Sequence, residues 1–214
     1  MKTAIVIGST GLIGKELVKL LLEDKDYSKV KTFSRRSLNL QSKKLEEHII
    51  SFDELHKFRD KIIGDDLFSC MGTTIKKAGS QKEQYKIDFE YQLNFAKLAS
   101  DTSVNNYFLV SSAGASSKSK SFYLKIKGEL EDSVKLLSFK KIVIFQPSIL
   151  VGKREESRIL EKVGITAMNF LTSTLPFIKK YKPIPAITVA QAMINSAKDQ
   201  NLGLHTTYSL DQIF

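Results

Sequence analysis

The sequence predicts an α/β fold, a doubly wound parallel sheet with helices on both faces, and three observations carry this prediction. Short β-branched, apolar segments alternate with longer segments of helical periodicity. The connections between them are only a few residues long, and a glycine-rich turn directly follows the first apolar segment. Strands that alternate with helices in this way are typical of a parallel sheet with helices on both faces.

The apolar pattern predicts each element in turn. Six strands are expected, at residues 2–7, 30–33, 48–52, 67–71, 107–111 and 142–145. Five helices are expected between and after them: 12–23, a short one at 53–62, a long one from the capping box Ser80–Glu83 to about Ser100, 122–137, and a last one capped at Thr188 that ends near Lys198.

A chain of 214 residues fits a single domain, which we expect to span residues 1–214. Residues 151–187 break the alternation with a charged stretch, an apolar stretch and three prolines. Ligands bind outside the carboxyl ends of the strands in such sheets. We therefore predict that 151–187 is a small C-terminal substrate lobe over that edge.

Composition excludes several classes of function. The 33 basic and 23 acidic residues give a net charge of +10, but no basic helix carries interleaved aromatic residues, so no nucleic-acid partner is expected. Cys70 is the only cysteine, which excludes a disulfide or a multi-cysteine zinc site, and no metal is expected. No apolar run is long enough to span a membrane, and the apolar N-terminal stretch is cut by Gly8. We expect a cytoplasmic protein with a small-molecule substrate, and the oligomeric state stays open.

The glycine-rich turn, GSTGLIG, joins the first strand to the first helix and contains Gly8, Gly11 and Gly14. In dinucleotide-binding folds the first glycine makes the tight turn, the second lets the backbone approach the pyrophosphate, and the third lets helix pack on strand. The N–H groups at the start of the helix then face phosphate. The alternative is a plain turn without a ligand. The turn predicts a dinucleotide site, with further candidate contacts from Ser9, Thr10, Leu12 and Ile13.

The end of the second strand indicates which dinucleotide is bound. An NAD site usually places an acidic residue there, where it bonds the ribose hydroxyls. This chain has Ser34, Arg35 and Arg36 instead, with no acid. A serine hydroxyl and guanidinium groups suit a 2′-phosphate, whereas the alternative is a solvated basic loop. The sequence therefore favours NADP(H) over NAD(H).

Tyr123 and Lys127 form a Y-x-x-x-K pair that shares one face of a predicted helix. The pattern alone is not specific, because Tyr27 and Lys31 have the same spacing. We expect Tyr27 to lie in the loop entering the second strand, away from any carboxyl end. Tyr123 instead follows a strand, the serines 111 and 112 and a glycine turn, which is a far more specific context.

Tyrosine, lysine and serine are residue types that the reduction of a carbonyl by hydride requires. The new alkoxide must receive a proton, which the Tyr123 hydroxyl can supply, and the ammonium of Lys127 would stabilise the resulting phenolate. Lys127 could also hold the nicotinamide ribose, and a serine at the strand end could hold the substrate oxygen. The alternative is a half-buried tyrosine beside a surface lysine.

The chain resembles the short-chain dehydrogenase/reductase superfamily over nearly its whole length, and it is most similar to the atypical branch that includes the Tat-interacting oxidoreductase. The stretches that carry the resemblance are GSTGLIG, FSRR, CMGTT, LVSSAGA, YLKIKGELE, FQPSILVG and PAITVAQAM. The resemblance implies a Rossmann-like fold with bound NADP(H). It also implies Ser112 as the catalytic serine, with Ser111 as the fallback, and Tyr123 and Lys127 as the acid/base pair.

The same resemblance implies further cofactor contacts. Asp53 matches an aspartate that contacts adenine in related proteins. Cys70, Met71 and Gly72 line the cofactor by position, and Pro147, Ser148 and Ile149 match the stretch beside the nicotinamide. We expect the Cys70 thiol to be inert, because it closes a buried strand.

One departure from the family pattern concerns Asp88, which stands near the position where many members have an asparagine in a proton relay. A carboxylate there puts turnover in question. The first hypothesis is an NADP(H)-dependent oxidoreductase acting on a small carbonyl or hydroxyl substrate. The alternatives are a non-catalytic NADP(H)-binding regulatory scaffold and a sugar-nucleotide epimerase-like enzyme, although fewer than 70 residues follow the sixth strand, which favours a small substrate.

Overall fold

The computed structural model describes residues 1–102, 104–151, 183–209 and 212–213. The central strands consist of short β-branched or aromatic runs that are buried on both faces of the sheet. Seven strands make one sheet: β1 Lys2–Ile7, β2 Tyr27–Ser34, β3 Leu45–Ile49, β4 Asp66–Ser69, β5 Asn106–Val110, β6 Lys141–Phe145 and β9 His205–Tyr208. Two short strands, β7 Leu150–Val151 and β8 Ile184–Pro185, pair separately.

The helices begin after these strands, and all except the short α2 lie where the apolar periodicity predicts a helix. They are α1 Leu12–Glu23, α2 Ile75–Ala78, α3 Gln81–Tyr85, α4 Tyr91–Asp101, α5 Phe122–Val134 and α6 Ala186–Lys198, with a 3-10 helix at Phe52–Lys61. A π-helical turn, Lys86–Glu90, joins α3 to α4. The predicted capping box opens α3, since the Ser80 hydroxyl accepts from the Glu83 N–H at 3.1 Å.

The sheet has the order β3-β2-β1-β4-β5-β6-β9, and every neighbouring pair is parallel. The chain moves outward in one direction from β1 to β3 and in the other from β4 onward. This reversal of strand order places a ligand crevice at the carboxyl ends of β1 and β4. The predicted α/β, Rossmann-like fold class is confirmed.

Alternate residues of β1 point into two separate cores, one on each face of the sheet. Ala4 and Val6 pack in the core that contains α1 and α6. Ile5 and Ile7 pack in the opposite core, which contains α4, α5 and the 3-10 helix. Burial on both faces explains why residues 4–7 of β1 form an uninterrupted apolar run.

Several predicted boundaries are wrong. Tyr27 is the first residue of β2 and is buried, so it does not lie in a loop. The third strand is three residues earlier than expected, α5 ends at Val134, and α6 begins at Ala186 after Pro185, so Thr188 is not its cap. The edge strand β9 was not predicted, because its partly exposed, polar sequence lacks an apolar run.

The structure describes only the two ends of the predicted substrate lobe, residues 151–187. Residues 152–182 lie outside the described part of the chain, whereas β7 and β8, which flank them, pair with each other. Among the helices described, none combines the length and the apolar character that crossing a membrane requires.

Candidate active site

The phosphate turn has the geometry that its glycines predict. Gly8 has a φ of +73°, which favours a residue without Cβ, and the Gly11 N–H donates to the Gly8 carbonyl at 2.9 Å. A Cβ on Gly14 would lie only 2.2 Å from that same carbonyl oxygen. A Cβ on Gly8 would lie 2.4 Å from the backbone of Cys70. The turn is thus closed tightly between α1 and the end of β4.

The unsatisfied polar groups of the turn suit a phosphate ligand. Gly11 is the N-cap of α1 and supplies no side-chain cap, which leaves the first N–H groups of a 12-residue helix without a side-chain partner. The Ser9 hydroxyl is buried and has no hydrogen-bond partner among the described residues. Thr10 and Leu12 are partly exposed beside it, and Ile13 packs in the core. These residues fit a dinucleotide pyrophosphate.

The end of β2 carries exposed positive charge. Arg35 and Arg36 are exposed, and neither has an ion-pair partner in the described part of the chain. Ser34 is 4% exposed and its hydroxyl donates to the Arg36 carbonyl at 2.6 Å. The Ser34 hydroxyl therefore shapes the turn that displays the arginines, and its contact with a 2′-phosphate stays a prediction.

Asp53, the candidate adenine contact, lies in the first turn of the 3-10 helix. Its carboxylate pairs with the Lys86 ammonium at 2.7 Å, and this hydrogen bond lowers the pKa of Asp53. Lys86 also lies over the Tyr91 ring. The pair ties the 3-10 helix to the π-helical turn, and the adenine contact stays a prediction.

Lys127 is buried and points at the end of β4, whereas Tyr123 stays accessible. Lys127 is 2% exposed, and its Nζ lies 3.4 Å from the Met71 carbonyl and 3.9 Å from the place of a Cβ on Gly72. Tyr123, one turn earlier on α5, is 38% exposed. An ammonium with one long hydrogen bond keeps capacity for a further acceptor.

The second Y-x-x-x-K pair lies elsewhere. The Tyr27 hydroxyl donates to Asp66 at 2.6 Å, at the amino end of the sheet, and burial raises its pKa. Lys31 donates instead to the carbonyls of Lys61 and Ile63. Four residues along a strand span about 13 Å, so this pair does not meet as a helical pair does.

The two serines after β5 have different environments. Ser111 is buried and its hydroxyl donates to Glu131. Ser112 is partly exposed, and its hydroxyl has no partner among the described residues. Only Ser112 is therefore free to hold a substrate oxygen, in line with its choice as the catalytic serine.

Cys70 and Met71, which follow β4, lie between the phosphate turn and Lys127. Desolvation raises the pKa of the Cys70 thiol to about 12, so it is protonated at neutral pH. The same strand end continues to Gly72, which is exposed. Residues 70–72 therefore offer a ligand backbone groups rather than reactive side chains.

The segment after β6 is tied to the segment after β5. The Ala113 N–H donates to the Pro147 carbonyl at 2.9 Å, and the Ile184 N–H donates to the Ile149 carbonyl at 2.9 Å. Pro147 is buried, Ser148 is partly exposed and Ile149 is 48% exposed. The predicted nicotinamide-side residues thus adjoin the serine pair.

Asp88 is fully buried in the π-helical turn beside Lys127. Its carboxylate accepts from the Thr73 N–H at 2.8 Å and from the Gln84 amide at 3.3 Å. Burial raises the pKa of Asp88, and the nearby Lys127 ammonium opposes part of that rise. Through the Thr73 N–H, the Asp88 carboxylate holds the segment that follows β4. Lys127 donates to the Met71 carbonyl of the same segment.

Sequence reasoning missed two residues of this region, Glu131 and Gln146. Glu131 lies one helical turn after Lys127 on α5, and Gln146 directly follows β6. The Gln146 amide donates to both Glu131 oxygens at 3.0 Å. The spacing of Tyr123, Lys127 and Glu131 at i, i+4 and i+8 is the signal that could have found Glu131.

Comparison with known proteins places the chain in a family. It is 36% identical over 199 residues to Protein FMP52, mitochondrial, of Meyerozyma guilliermondii, covering 91% of this chain and 84% of that protein. It is 32% identical over 199 residues to Protein HTATIP2 of Rattus norvegicus, covering 91% and 81%. The chain belongs to the branch of proteins that contains HTATIP2 and FMP52. No protein-family model matches it.

Solved structures share the fold at low sequence identity. A short-chain dehydrogenase/reductase superfamily protein from Agrobacterium tumefaciens with bound NAD matches with a TM-score of 0.73 and 13% identity, covering 98% of this chain and 78% of that one. A UDP-N-acetylglucosamine 4-epimerase from Methanobrevibacter ruminantium M1 matches with a TM-score of 0.71 and 15% identity, covering 97% and 76%.

The expectation of a cytoplasmic protein is wrong. Several fungal relatives in this branch, from Meyerozyma guilliermondii, Scheffersomyces stipitis and Debaryomyces hansenii, are named as mitochondrial proteins. Composition and charge exclude some environments for a chain, but they do not specify an organelle.

Proposed function

We propose that this protein is an NADP(H)-dependent oxidoreductase that interconverts a small carbonyl compound and its alcohol. The observation that carries the proposal is the arrangement on α5: a buried Lys127 aimed at the end of β4, and an accessible Tyr123 one turn away. It is supported by the phosphate turn, which has no side-chain cap, and by the Ser112 hydroxyl, which has no partner in the described part of the chain.

NADPH, when bound, supplies hydride to the carbonyl carbon, and the residues of this chain handle the oxygen. Ser112 donates a hydrogen bond to that oxygen and orients the carbonyl. As negative charge develops on the oxygen, the Tyr123 hydroxyl transfers its proton to it. The Lys127 ammonium stabilises the phenolate that remains, and Lys127 would also hold the ribose hydroxyls of the bound cofactor.

The preference for NADP(H) rests on the end of β2. The exposed guanidinium groups of Arg35 and Arg36 have no ion-pair partner among the described residues, so they are available to a 2′-phosphate. The hydroxyl of Ser34 holds the backbone of this turn. No acidic residue stands at the strand end to bond the ribose 2′-hydroxyl.

Two assays on the purified chain test this proposal. NADPH binding is measured by fluorescence titration, and a panel of aldehydes and ketones is then screened by the loss of NADPH absorbance. Ser112→Ala should lower kcat by about 100-fold, the cost of losing one oxygen-holding donor, while Ser138→Ala, an exposed serine after α5, should not change it. Tight NADPH binding without turnover of any carbonyl would favour the regulatory scaffold.

The names of the fungal relatives also support a mitochondrial location for this protein. Fractionation of cells that express the tagged chain tests this. Co-sedimentation with a mitochondrial marker is the expected result, and recovery in the cytosolic fraction alone would oppose it.

A further inference from the structure

Glu131 is a buried carboxylate that joins three elements around the candidate site. It projects from α5 and is 5% exposed. Its Oε1 accepts from the Ser111 hydroxyl at the end of β5, and both of its oxygens accept from the Gln146 amide at 3.0 Å, at the end of β6. Its donors among the described residues are all neutral groups.

Each donor to Glu131 is adjacent in the chain to a residue of the proposed site. Ser111 precedes Ser112, and Gln146 precedes Pro147. Backbone hydrogen bonds join these two segments to each other. The Ser111 N–H donates to the Phe145 carbonyl at 2.7 Å, and the Ala113 N–H donates to the Pro147 carbonyl at 2.9 Å. Glu131 therefore links both segments to the helix that carries Tyr123 and Lys127.

A buried carboxylate with only neutral donors is a costly way to fill a core position, because an apolar side chain would avoid its desolvation. A comparable carboxylate, Asp66, lies at the amino end of the sheet, where it accepts from Tyr27, Asn106 and Lys2. Asp66 is remote from the carboxyl ends of the strands. A substitution of Asp66 therefore shows what the loss of a buried carboxylate and its hydrogen bonds does to stability alone.

We propose that Glu131 is a positioning residue, which holds Ser112 and the nicotinamide-side segment 147–149 in register with Tyr123 and Lys127. The inference rests on the proposed function, because it assigns the segment after β6 to the nicotinamide half of NADPH. The phosphate turn and the end of β2, which would hold the adenine half, make no hydrogen bond to Glu131 among the described residues.

The test compares two ligands on the purified chain. NADPH and 2′-phospho-ADP-ribose share the 2′-phosphate, the adenosine, the pyrophosphate and the second ribose, and only NADPH carries the nicotinamide ring. Glu131→Met removes both acceptor oxygens at similar length. It should weaken NADPH binding about 10-fold, the scale of one hydrogen bond, and should leave the affinity for 2′-phospho-ADP-ribose unchanged. Asp66→Asn should lower the melting temperature and change neither affinity.

Gln146→Met provides a second variant, because it removes the amide donor and leaves Glu131 in place; the same selective loss is expected if Glu131→Met does not fold. Equal weakening of both ligands, or no weakening of either, would show that the network is only structural and would overturn the inference. A parent protein that binds neither ligand would overturn the proposed function, and the inference with it.

Discussion

Replacing single glycines of the phosphate turn by alanine should separate folding from cofactor binding. A Cβ on Gly14 would lie 2.2 Å from the Gly8 carbonyl oxygen and 2.8 Å from the Ser9 Cα, and this backbone has no room to retreat. Overpacking of this kind costs about 1–3 kcal/mol. For a chain of this length each kcal/mol lowers the melting temperature by roughly 2–4 °C. Gly14→Ala should therefore melt several degrees lower.

Gly11→Ala should behave differently. Its Cβ would lie 3.1 Å from the Gly8 carbonyl oxygen and 3.7 Å from the Cys70 carbonyl oxygen, distances that small shifts accommodate. The fold should survive, yet the new methyl group would stand where the pyrophosphate must approach the backbone. We expect NADPH affinity to fall by at least about 10-fold with little change in melting temperature.

Thermal melting of the unliganded proteins and fluorescence titration with NADPH measure the two effects. Gly203→Ala is the control, because nothing lies within 4 Å of its added Cβ, and it should match the parent in both assays. If Gly11→Ala binds NADPH as tightly as the parent, the turn does not hold the pyrophosphate.

Three further changes test other parts of the site. The double change Arg35→Ala and Arg36→Ala should erase an NADPH-over-NADH preference of about 10- to 100-fold, measured by parallel titrations; equal affinities in the parent would refute the assignment. Gly128→Ala should cost about 1–3 kcal/mol, because its Cβ would lie 2.2 Å from the backbone of Ser116, and an unchanged melting temperature would contradict this. Burial raises the pKa of Asp88, so its contribution to stability is present in acid, below the unfolded pKa of about 3.9, and is lost as the pH rises through the folded pKa. Asp88→Asn should therefore gain stability relative to the parent between pH 4 and pH 8 in thermal melts, and a difference that does not vary with pH would oppose this.

The features that the sequence predicted well are those that depend on local pattern. The apolar run of β1 and the glycines that follow it predict a buried strand and a tight turn, and the structure has both. The periodicity of α1 and the capping box at Ser80 are also local, and both appear where they were expected. These features sufficed for the fold class.

The features that sequence reasoning missed depend on partners far away in the chain. Tyr27 lies at the start of β2 with its hydroxyl donating a hydrogen bond in the core to Asp66, which is 39 residues later in the chain. Strand β9 exists because β6 offers an edge, since its own residues carry little apolar signal. The sequence alone indicates a solvated helix residue at Glu131. Its burial depends on Ser111 and Gln146, which follow β5 and β6 and donate to its carboxylate.

The most direct test of the acid/base assignment is the rate of carbonyl reduction by Tyr123→Phe and Lys127→Met, with a substrate found in the panel. Each change should lower kcat by about 100-fold or more, and the double change should be little worse, because the two residues act as a unit. NADPH binding should survive Tyr123→Phe and weaken with Lys127→Met. Tyr27→Phe, which removes a donor to Asp66 at the opposite end of the sheet, should lower stability and leave the rate unchanged. A Tyr123→Phe protein that reduces the substrate at the parent rate would contradict the account.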